Sequence, residues 1–268
     1  MVAQRFRNSV VALIASLVTV SAAHSADLPL APVPVEFGGW YLRGFIGFSN
    51  QQVGSLFNQN YNRYDSVDNI DRGFDAAPLF GLGVGYNVNN WLRVDVTGEY
   101  RAKANFHGLD IGHTVGQDWP DRYFASKYEW TVLFNGFIDL GTWYGFTPFF
   151  GAGLGFTNNT ITNFGDINVS TAVGSDAHGL TASQWNFAWA LYAGLGYRVT
   201  PAVTLELLYR YIDLGNATTG TMYGFTGVAD TPFEFRHLTS QDLMLGMRFN
   251  FGAYDYPPPP PPPLRSRG

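Results

Sequence analysis

A strict alternation of apolar and polar residues most constrains this chain, and it is clearest from Trp91 to Arg101. Every second residue from Leu92 to Tyr100 is apolar or glycine, whereas the residues between them, beginning with Arg93, are polar or charged. Side chains of a β-strand point alternately to opposite faces, so this segment predicts a strand with one apolar and one charged face. Such a strand needs an apolar medium on one side and a polar one on the other.

The same alternation recurs along the chain and predicts eight strands in all. The alternating segments are Trp91–Arg101, Tyr128–Leu140, Gln184–Arg198, Thr204–Ile212 and Asp242–Phe251. Three glycine-rich segments complete the set, namely Trp40–Ser49, Leu79–Tyr86 and Thr147–Thr157. A period of two is typical of strands rather than of helices, whose apolar residues recur every three to four positions.

The connections between these strands alternate between short and long. Short connections lie at 87–90, 141–146 and 199–202, and long polar stretches lie at about 50–77, 106–122, 158–183 and 215–234. Outer-membrane barrels have this hairpin pattern, whereas a soluble β-sandwich has a turn about every 8–12 residues. The sequence therefore predicts an all-β fold: an eight-stranded antiparallel transmembrane β-barrel with four long outer loops and short periplasmic turns.

Both ends of the chain differ in composition from the barrel region. Arg5, Arg7, a short apolar run and small residues before Ala26 predict a cleaved signal peptide. Cleavage after Ala26 and a short N-terminal membrane anchor are the alternatives. The predicted segments are a signal peptide at 1–25, a proline-rich periplasmic lead at 26–37, the barrel at 38–251 and a proline-rich periplasmic tail at 252–268. We expect export to the outer membrane of a Gram-negative bacterium.

Aromatic residues on the apolar faces fall at two heights when the strands are counted up from the periplasmic turns. The lower set is Trp40, Tyr86, Trp91, Trp143 and Tyr197, and the upper set is Tyr100, Tyr128, Trp185, Tyr209 and Tyr211. Two aromatic girdles are typical of a barrel whose outer face contacts lipid. We therefore expect membrane lipid and lipopolysaccharide around the barrel. The alternative is that these rings form the core of a soluble fold.

The charged faces of the same strands carry equal numbers of cations and anions. The six cations are Arg43, Arg93, Arg101, Lys127, Arg210 and Arg248, and the six anions are Asp95, Glu99, Glu129, Asp139, Glu206 and Asp242. An eight-stranded barrel is only wide enough inside for side chains, so these residues are expected to pair within the lumen. Because unpaired buried charges are costly, we predict a charge-lined lumen that is plugged or narrowly hydrated rather than a wide pore.

Several tracts, taken in order, resemble one family of membrane proteins. They are ADLP from residue 26, the first strand GWYLRGFIG, the tract FGLGVGYNVNNWLRVDV, and the pair PFFGAGLGF and LYAGLGYRVTPAVTLELLYRYIDLG. Between residues 38 and 251 the chain is similar to the alphaproteobacterial branch of the OmpA/Opa-like small outer-membrane β-barrels. The resemblance implies an eight-stranded barrel with surface-exposed loops. Family members are variously described as structural envelope proteins, porin-like proteins, adhesins and haem binders, so membership leaves the activity open.

The resemblance also implies that the outer-membrane assembly machinery recognises an aromatic residue at the end of the last strand. Phe249 and Phe251 suit this role. The chain departs from the usual ending because residues 252–268 follow, including seven consecutive prolines from Pro257 to Pro263. A run of prolines forms a stiff polyproline II segment, which is either a periplasmic tether or a solvated tail.

Candidate catalytic and cofactor sites are weak. The glycine-rich tracts at 81–85 and 151–155 lack the spacing of a dinucleotide site. Glu234, His237 and Ser240 match in type the set used by barrel enzymes that deacylate lipid A. However, His237 and Ser240 are three residues apart, so on a strand they face opposite sides, whereas a catalytic triad needs them on the same side. The net charge of −5 provides no basic surface for nucleic acid, and a chain without cysteine has neither disulfides nor thiolate metal sites. We therefore expect no enzyme and no resident cofactor or metal.

Polar residues of the predicted outer loops offer two further alternatives. His107 and His113 share one predicted loop and could contact haem or a metal ion. The first loop carries a run of carboxylates, at Asp65, Asp68, Asp71 and Asp75. The spacing of this run does not match a calcium-binding loop. Solvated loop residues are the plainer interpretation of both groups.

A non-enzymatic function fits these features best. We expect a structural component of the envelope that also interacts with extracellular or host ligands through its outer loops. A small passive channel for ions or small solutes is the first alternative. Binding of haem or another ligand by the outer loops is the second.

Overall fold

Eight long strands make up most of the chain that the computed structural model describes, which comprises residues 39–169, 176–224 and 226–251. The eight long strands are β1 (Gly39–Phe57), β3 (Ala77–Asn87), β4 (Leu92–Thr114), β5 (Gln117–Asp139), β6 (Phe146–Asn168), β8 (Ala182–Arg198), β9 (Val203–Thr218) and β12 (Glu234–Asn250). Four shorter strands lie between them: β2 (Ser66–Phe74), β7 (Ala177–Gly179), β10 (Met222–Gly224) and β11 (Ala229–Asp230). A short 3-10 helix, Gln59–Arg63, precedes β2. Within the described part no helix has the length and hydropathy needed to cross a membrane. The predicted signal peptide, lead and tail lie outside the described residues.

The long strands pair side by side in a closed ring, each antiparallel to its neighbours. The order around the ring is β1, β3, β4, β5, β6, β8, β9, β12 and back to β1. β1 and β12 close it, with pairing that runs from Tyr41↔Asn250 to Phe57↔Glu234. A closed ring lets each strand bond to two neighbours, which is the condition for crossing lipid with strands. The predicted eight-stranded β-barrel is confirmed.

Apolar side chains cover the outside of the barrel nearest the short turns and form what we call the apolar belt. Leu82, Phe48 and Ile46 are 74%, 67% and 66% exposed, and they alternate with buried residues along β3 and β1. The strand period of two sends every other residue outward. An apolar outer face and a charged inner face form the arrangement expected of a barrel surrounded by lipid.

The long outer connections are much shorter than predicted because the strands continue into them. β4, β5 and β6 are each 23 residues long and occupy most of 106–122 and much of 158–183. The stretches 50–77 and 215–234 likewise contain the ends of β1 and β9, together with β2, β10 and β11. The prediction that these polar stretches are loops is therefore wrong for most of their described residues. Their polar residues lie on strands that extend past the apolar belt.

Irregularities at similar positions on four strands hid these extensions from the sequence pattern. In β4 the inward residues are odd-numbered up to Arg101. The pairing with β5 then shifts, and the inward residues become even-numbered from Ala104. Asn163, Gly215 and His237, with φ of 53°, 69° and 56°, mark the corresponding changes in β6, β9 and β12. An extra residue in a strand is a β-bulge, and it exchanges the two faces of everything beyond it.

Beyond the bulges the barrel reverses its polarity and forms what we call the cap, the described residues of 50–76, 104–125, 163–181 and 215–237. Its interior holds six buried aromatic rings, which we call the aromatic cluster: Phe74, Phe106, Tyr123, Phe164, Phe233 and Phe235. The centroids of neighbouring rings lie 4.8–6.2 Å apart. An apolar inside and a largely polar outside are typical of a β-barrel surrounded by water.

Candidate functional site: the barrel interior and the cap

All twelve charged residues predicted for the lumen point into the barrel. Eleven are buried, and Asp139, at the end near the short turns, is half-buried. Their contacts divide them into two layers of three cations and three anions. The lower layer is Arg43, Arg93, Arg248, Asp95, Asp139 and Glu206, and the upper layer is Arg101, Lys127, Arg210, Glu99, Glu129 and Asp242.

Glu206 is the centre of the lower layer. Its carboxylate oxygens lie 3.2 Å from Arg43 Nε, 3.5 Å from Arg93 Nη2 and 3.6 Å from Arg248 Nε. None of these three contacts has the alignment of a hydrogen bond, so they are ion pairs. One carboxylate thus offsets part of the charge of three guanidinium groups.

The remaining carboxylates of the lower layer bind individual arginines. Arg43 Nη1 donates to Asp95 Oδ2 at 3.1 Å, and Arg93 Nε donates to Asp139 Oδ1 at 3.1 Å. The lower layer is therefore balanced in charge. Balance of this kind is what makes buried charges tolerable.

Arg210 and Asp242 organise the upper layer. Arg210 donates two hydrogen bonds to Glu99, at 2.6 and 2.7 Å, and its Nε donates to Asp242 Oδ2 at 2.8 Å. Asp242 also accepts two hydrogen bonds from Arg101, at 3.0 and 2.7 Å, and one from Ser240 Oγ at 2.6 Å. Bidentate pairs of guanidinium and carboxylate are among the strongest polar contacts in proteins.

Lys127 completes the upper layer on the side nearest the cap. Its Nζ donates to Gln51 Oε1 at 2.8 Å and to the carboxylate of Glu129. Glu129 in turn lies 3.2 Å from Arg101 Nε. Every charged group of the upper layer therefore has an oppositely charged partner.

Uncharged residues that the sequence analysis did not single out connect the layers. Asn135 Nδ2 donates to Asp95 Oδ1 at 2.7 Å, and Asn135 Oδ1 accepts from the Tyr192 hydroxyl at 2.8 Å. The Tyr41 hydroxyl donates to Asp95 Oδ2 at 3.0 Å. The Arg210 guanidinium carbon lies 5.7 Å from the centre of the Tyr192 ring. Both tyrosines are buried inside the barrel.

Two phenylalanines enclose the guanidinium of Arg93. Its central carbon lies 4.3 Å from the ring centre of Phe137 and 4.5 Å from that of Phe149, within the range of cation–π attraction. A Cβ at Gly151 would overlap the ring of Phe137, and one at Gly194 would overlap that of Phe149. The glycine runs thus make space for aromatic rings inside the barrel. Phe137 could have been found, because it lies on the polar face of its strand.

The ten aromatic residues predicted to form girdles all lie on the outer surface. Seven are exposed: Trp40, Tyr86, Trp91, Trp143, Tyr197, Trp185 and Tyr209. Tyr100, Tyr128 and Tyr211 are half-buried because they pack on neighbouring rings, such as Trp130 at 4.7 Å from Tyr100. Phe249 and Phe251, at the end of β12, are also exposed, with ring centres 5.4 Å apart.

His107 and His113 lie on β4 rather than in a loop, and the structure does not bring them together. Six residues of extended strand separate them, or roughly 20 Å. His113 lies 2.7 Å from Asp118 on β5 and 3.4 Å from Asp68 on β2, and these carboxylates raise its pKa. His107 lies 3.9 Å from Asp71. Each histidine thus faces a carboxylate of β2.

The other candidate sites from the sequence are likewise not assembled. Among the described residues no group of histidine and carboxylate side chains is arranged to hold a metal ion, and this includes the run from Asp65 to Asp75. Ser240 is buried against Asp242, whereas His237 is exposed at its bulge. The predicted opposite orientation of His237 and Ser240 therefore agrees with the structure.

Buried carboxyl groups accompany the aromatic cluster in the cap. Burial and, to a smaller extent, the nearby carboxylates of Asp121 and Asp176 raise the pKa of Asp166 to about 8. Burial also raises the pKa of Asp110, although the Tyr61 hydroxyl, which donates to it at 2.6 Å, opposes this effect. The cap therefore contains carboxyl groups whose pKa lies above its usual range.

Comparison with known proteins assigns the chain to a family. The family model for the outer membrane protein beta-barrel domain matches residues 11–230. The chain belongs to this family. Outer membrane protein PagN of Salmonella typhimurium is 30% identical to it over 80% of this chain and 90% of PagN. A candidate adhesin of Rickettsia conorii, an alphaproteobacterium, is 28% identical over 79% of this chain and 82% of that protein.

One solved structure is similar to most of this chain. The crystal structure of neisserial surface protein A covers 80% of this chain and 97% of its own, with 16% identity and a TM-score of 0.45. Family membership supports location in the outer membrane of a Gram-negative bacterium.

Proposed function

We propose that this outer membrane barrel is a structural, non-enzymatic envelope protein with a sealed interior, whose cap interacts with molecules at the cell surface. The observation that carries the sealed interior is the pairing of Arg210 with Glu99 and Asp242 across the lumen. These bonds join β4, β9 and β12 through the middle of an eight-stranded barrel. A barrel of this size has little space beyond its side chains.

Two barriers in series support the sealed interior. The ion-pair layers fill the membrane-spanning part, and the aromatic cluster fills the cap, where Phe164, Phe233 and Phe235 are at most 5% exposed. An ion entering from outside would first have to cross an apolar region. It would then have to displace paired guanidinium and carboxylate groups.

The proposed surface role rests on the cap and on the relatives. The cap carries most of the exposed polar residues, many of them on strands that are continuous with the barrel below. The relative in Rickettsia conorii is described as a candidate adhesin. Recognition on a rigid scaffold loses less conformational entropy than recognition by a mobile loop.

A narrow hydrated path for small ions is the second candidate function. Buried polar atoms without a hydrogen-bond partner favour it, among them Gln51 Nε2, Asn159 Oδ1 and Arg93 Nη1. Such atoms inside a barrel are places where water molecules would bind. A connected file of these waters would conduct small ions without a wide pore.

The same proposal assigns roles to the aromatic rings on the outer surface, to the end of the last strand and to the N-terminal segment. The exposed aromatic rings at both ends of the apolar belt anchor the barrel at the lipid and lipopolysaccharide interfaces. Phe249 and Phe251 provide the signal for the outer-membrane assembly machinery. A cleaved signal peptide at 1–25 directs export.

Planar-bilayer recording of the refolded full chain tests the sealed interior. We expect the wild-type protein to be silent and Arg210→Ala to conduct, because the variant removes three hydrogen bonds of the upper layer. Steady conductance of the wild type would instead establish the channel function. The surface role is tested separately by displaying the protein on a non-adherent bacterium. Binding to host cells should be lost when the cap segments above the bulges are replaced by short turns.

A further inference from the structure

In the cap, β2 has a free edge. β2 pairs with β4 from Ser66↔His113 to Phe74↔Phe106, and within the described residues no strand pairs with its other edge. Pairing between β1 and β3 ends at Ser49↔Ala77, and above that level β1 pairs with β12 alone. The ring of strands is therefore open between β1 and β2 in the cap.

The free edge is accessible along the upper part of β2. Five of the six residues from Ser66 to Asp71 are exposed, and Ile70 is 57% exposed. An unpaired edge presents alternate N–H and C=O groups that another extended chain can bond. Addition of a peptide strand to such an edge is a recurring mode of recognition.

The charge along the edge of β2 determines which kind of peptide strand it can bind. Exposed carboxylates lie in and beside β2 at Asp65, Asp68, Asp71 and Asp75. Arg72 is the cation within the strand, and it donates to Asn69 of the same strand. His113 and His107 of β4 lie 3.4 and 3.9 Å from Asp68 and Asp71. The four carboxylates outnumber Arg72 and these two histidines, so the edge is acidic. An acidic edge attracts cationic chains and repels a second copy of itself and anionic polysaccharides.

We infer that the free edge of β2 binds an extended peptide segment rich in lysine or arginine, which adds to the cap sheet as a further strand. This inference rests on the proposed surface role and is independent of the sealed interior. Backbone hydrogen bonds supply the docking geometry. The register with β4 shifts between Asn69 and Asp71, so Ile70 is the extra residue of a bulge, and Asp68 and Asp71 lie on the same face. Cationic side chains of the added strand meet these two carboxylates, and the exposed Ile70 between them offers an apolar contact.

A peptide titration with the full chain in lipid nanodiscs tests this inference. The probe is a fluorescent nine-residue peptide that alternates lysine with valine or threonine. One control replaces each lysine with glutamate, and a second keeps the lysines but replaces two valines with proline, which removes backbone donors. We expect saturable binding of the first peptide alone. Hydrogen exchange should show new protection at alternate amides between Ser66 and Asp71.

Variants separate the charge of β2 from that of the rest of the cap. The pair Asp68→Asn and Asp71→Asn should weaken binding about fivefold at low salt. Asp65→Asn should weaken it by a smaller factor without touching either histidine contact. Asp176→Asn, an exposed carboxylate elsewhere on the cap, is the matched control and should leave binding unchanged.

Three results would overturn the inference: equal binding of the proline peptide, protection away from β2, or binding of a heparin oligosaccharide to this edge in place of the peptide. If cap-dependent binding to cells persists while the β2 variants have no effect, the strand-addition inference fails and the surface role stands. If cell binding does not depend on the cap at all, the surface role fails.

Discussion

Arg210 and Glu99 meet across the full width of the barrel, joined by two hydrogen bonds of 2.6 and 2.7 Å. Their strands, β9 and β4, lie opposite each other in the ring. Neighbouring strands are held together by backbone pairing, but opposite walls have no such connection. The ion-pair layers therefore act as cross-braces for a sheet that is otherwise joined only along its edges.

Loss of this cross-brace should destabilise the barrel. Arg210→Ala leaves the buried carboxylates of Glu99 and Asp242 with fewer partners, and we expect it to lower the free energy of unfolding by about 3–5 kcal/mol. Urea titration in lipid vesicles measures this. Arg122→Ala, an exposed arginine of the cap, should change stability by less than about 0.5 kcal/mol. Equal effects of the two variants would contradict the bracing role.

Glycines facing the lumen should tolerate substitution far less well than glycines facing lipid. A Cβ at Gly85 would overlap the ring of Tyr41, whereas a Cβ at Gly98 meets no atom within 4 Å. Gly85→Ala should therefore cost about 1–3 kcal/mol through overpacking. Gly98→Ala on the neighbouring strand should be close to neutral. The same unfolding titration compares them, and a harmless Gly85→Ala would show that the Tyr41 ring moves freely.

The apolar belt predicts where a charge is tolerated. Leu82 is 74% exposed within the belt, and Leu82→Arg should destabilise the protein in vesicles by about 2–4 kcal/mol because the charge would enter hydrocarbon. Val115 is 98% exposed at the turn between β4 and β5, so Val115→Arg should have little effect. If both variants refold with equal stability, the belt does not lie in the bilayer.

The cap should loosen as the pH rises. The pKa of Asp166 is raised to about 8, so the folded cap retains a proton that the unfolded segment releases near pH 4. Its stabilising effect is complete at acid pH and is lost between about pH 4 and 8, by up to roughly tenfold in the opening constant per pH unit. Hydrogen exchange of the cap amides, corrected for intrinsic rates, should show this at pH 6 and 8.5. Asp166→Asn should flatten the dependence, and an unchanged slope would exclude Asp166 as its source.

Alternation sufficed to predict the membrane-spanning part because lipid and lumen impose opposite requirements on successive residues. The residues from Leu92 to Arg101 obey the rule without exception, and the charged ones among them lie in the lumen. Phe137 and Tyr41 differ from the expectation that residues facing the lumen are polar, because both are buried aromatic residues inside the barrel. An aromatic ring can point inward where a glycine on the neighbouring strand leaves space, and this depends on register between strands distant in sequence.

The cap could not be predicted in the same way. The inward face changes between Arg101 and Ala104, and again at Asn163, Gly215 and His237. A bulge leaves no strong mark in composition. The alternation therefore appeared to end at the bulges, and the sequence analysis placed neither Phe106 nor Phe235 on a strand and predicted loops around them. The open edge of β2 was also hidden, because whether a strand has one partner or two is a property of the whole sheet.

The sequence by itself determined that the chain forms amphipathic strands, that eight of them cross the membrane and that their inner faces carry balanced charge. These properties follow from local spacing and from the media on each side of a strand. Tertiary structure alone decided which cation binds which anion, where the strands reverse their faces, and that the cap has an aromatic interior with an open edge. Those features depend on register and on contacts between residues as far apart in sequence as Glu99 and Arg210, which no local pattern encodes.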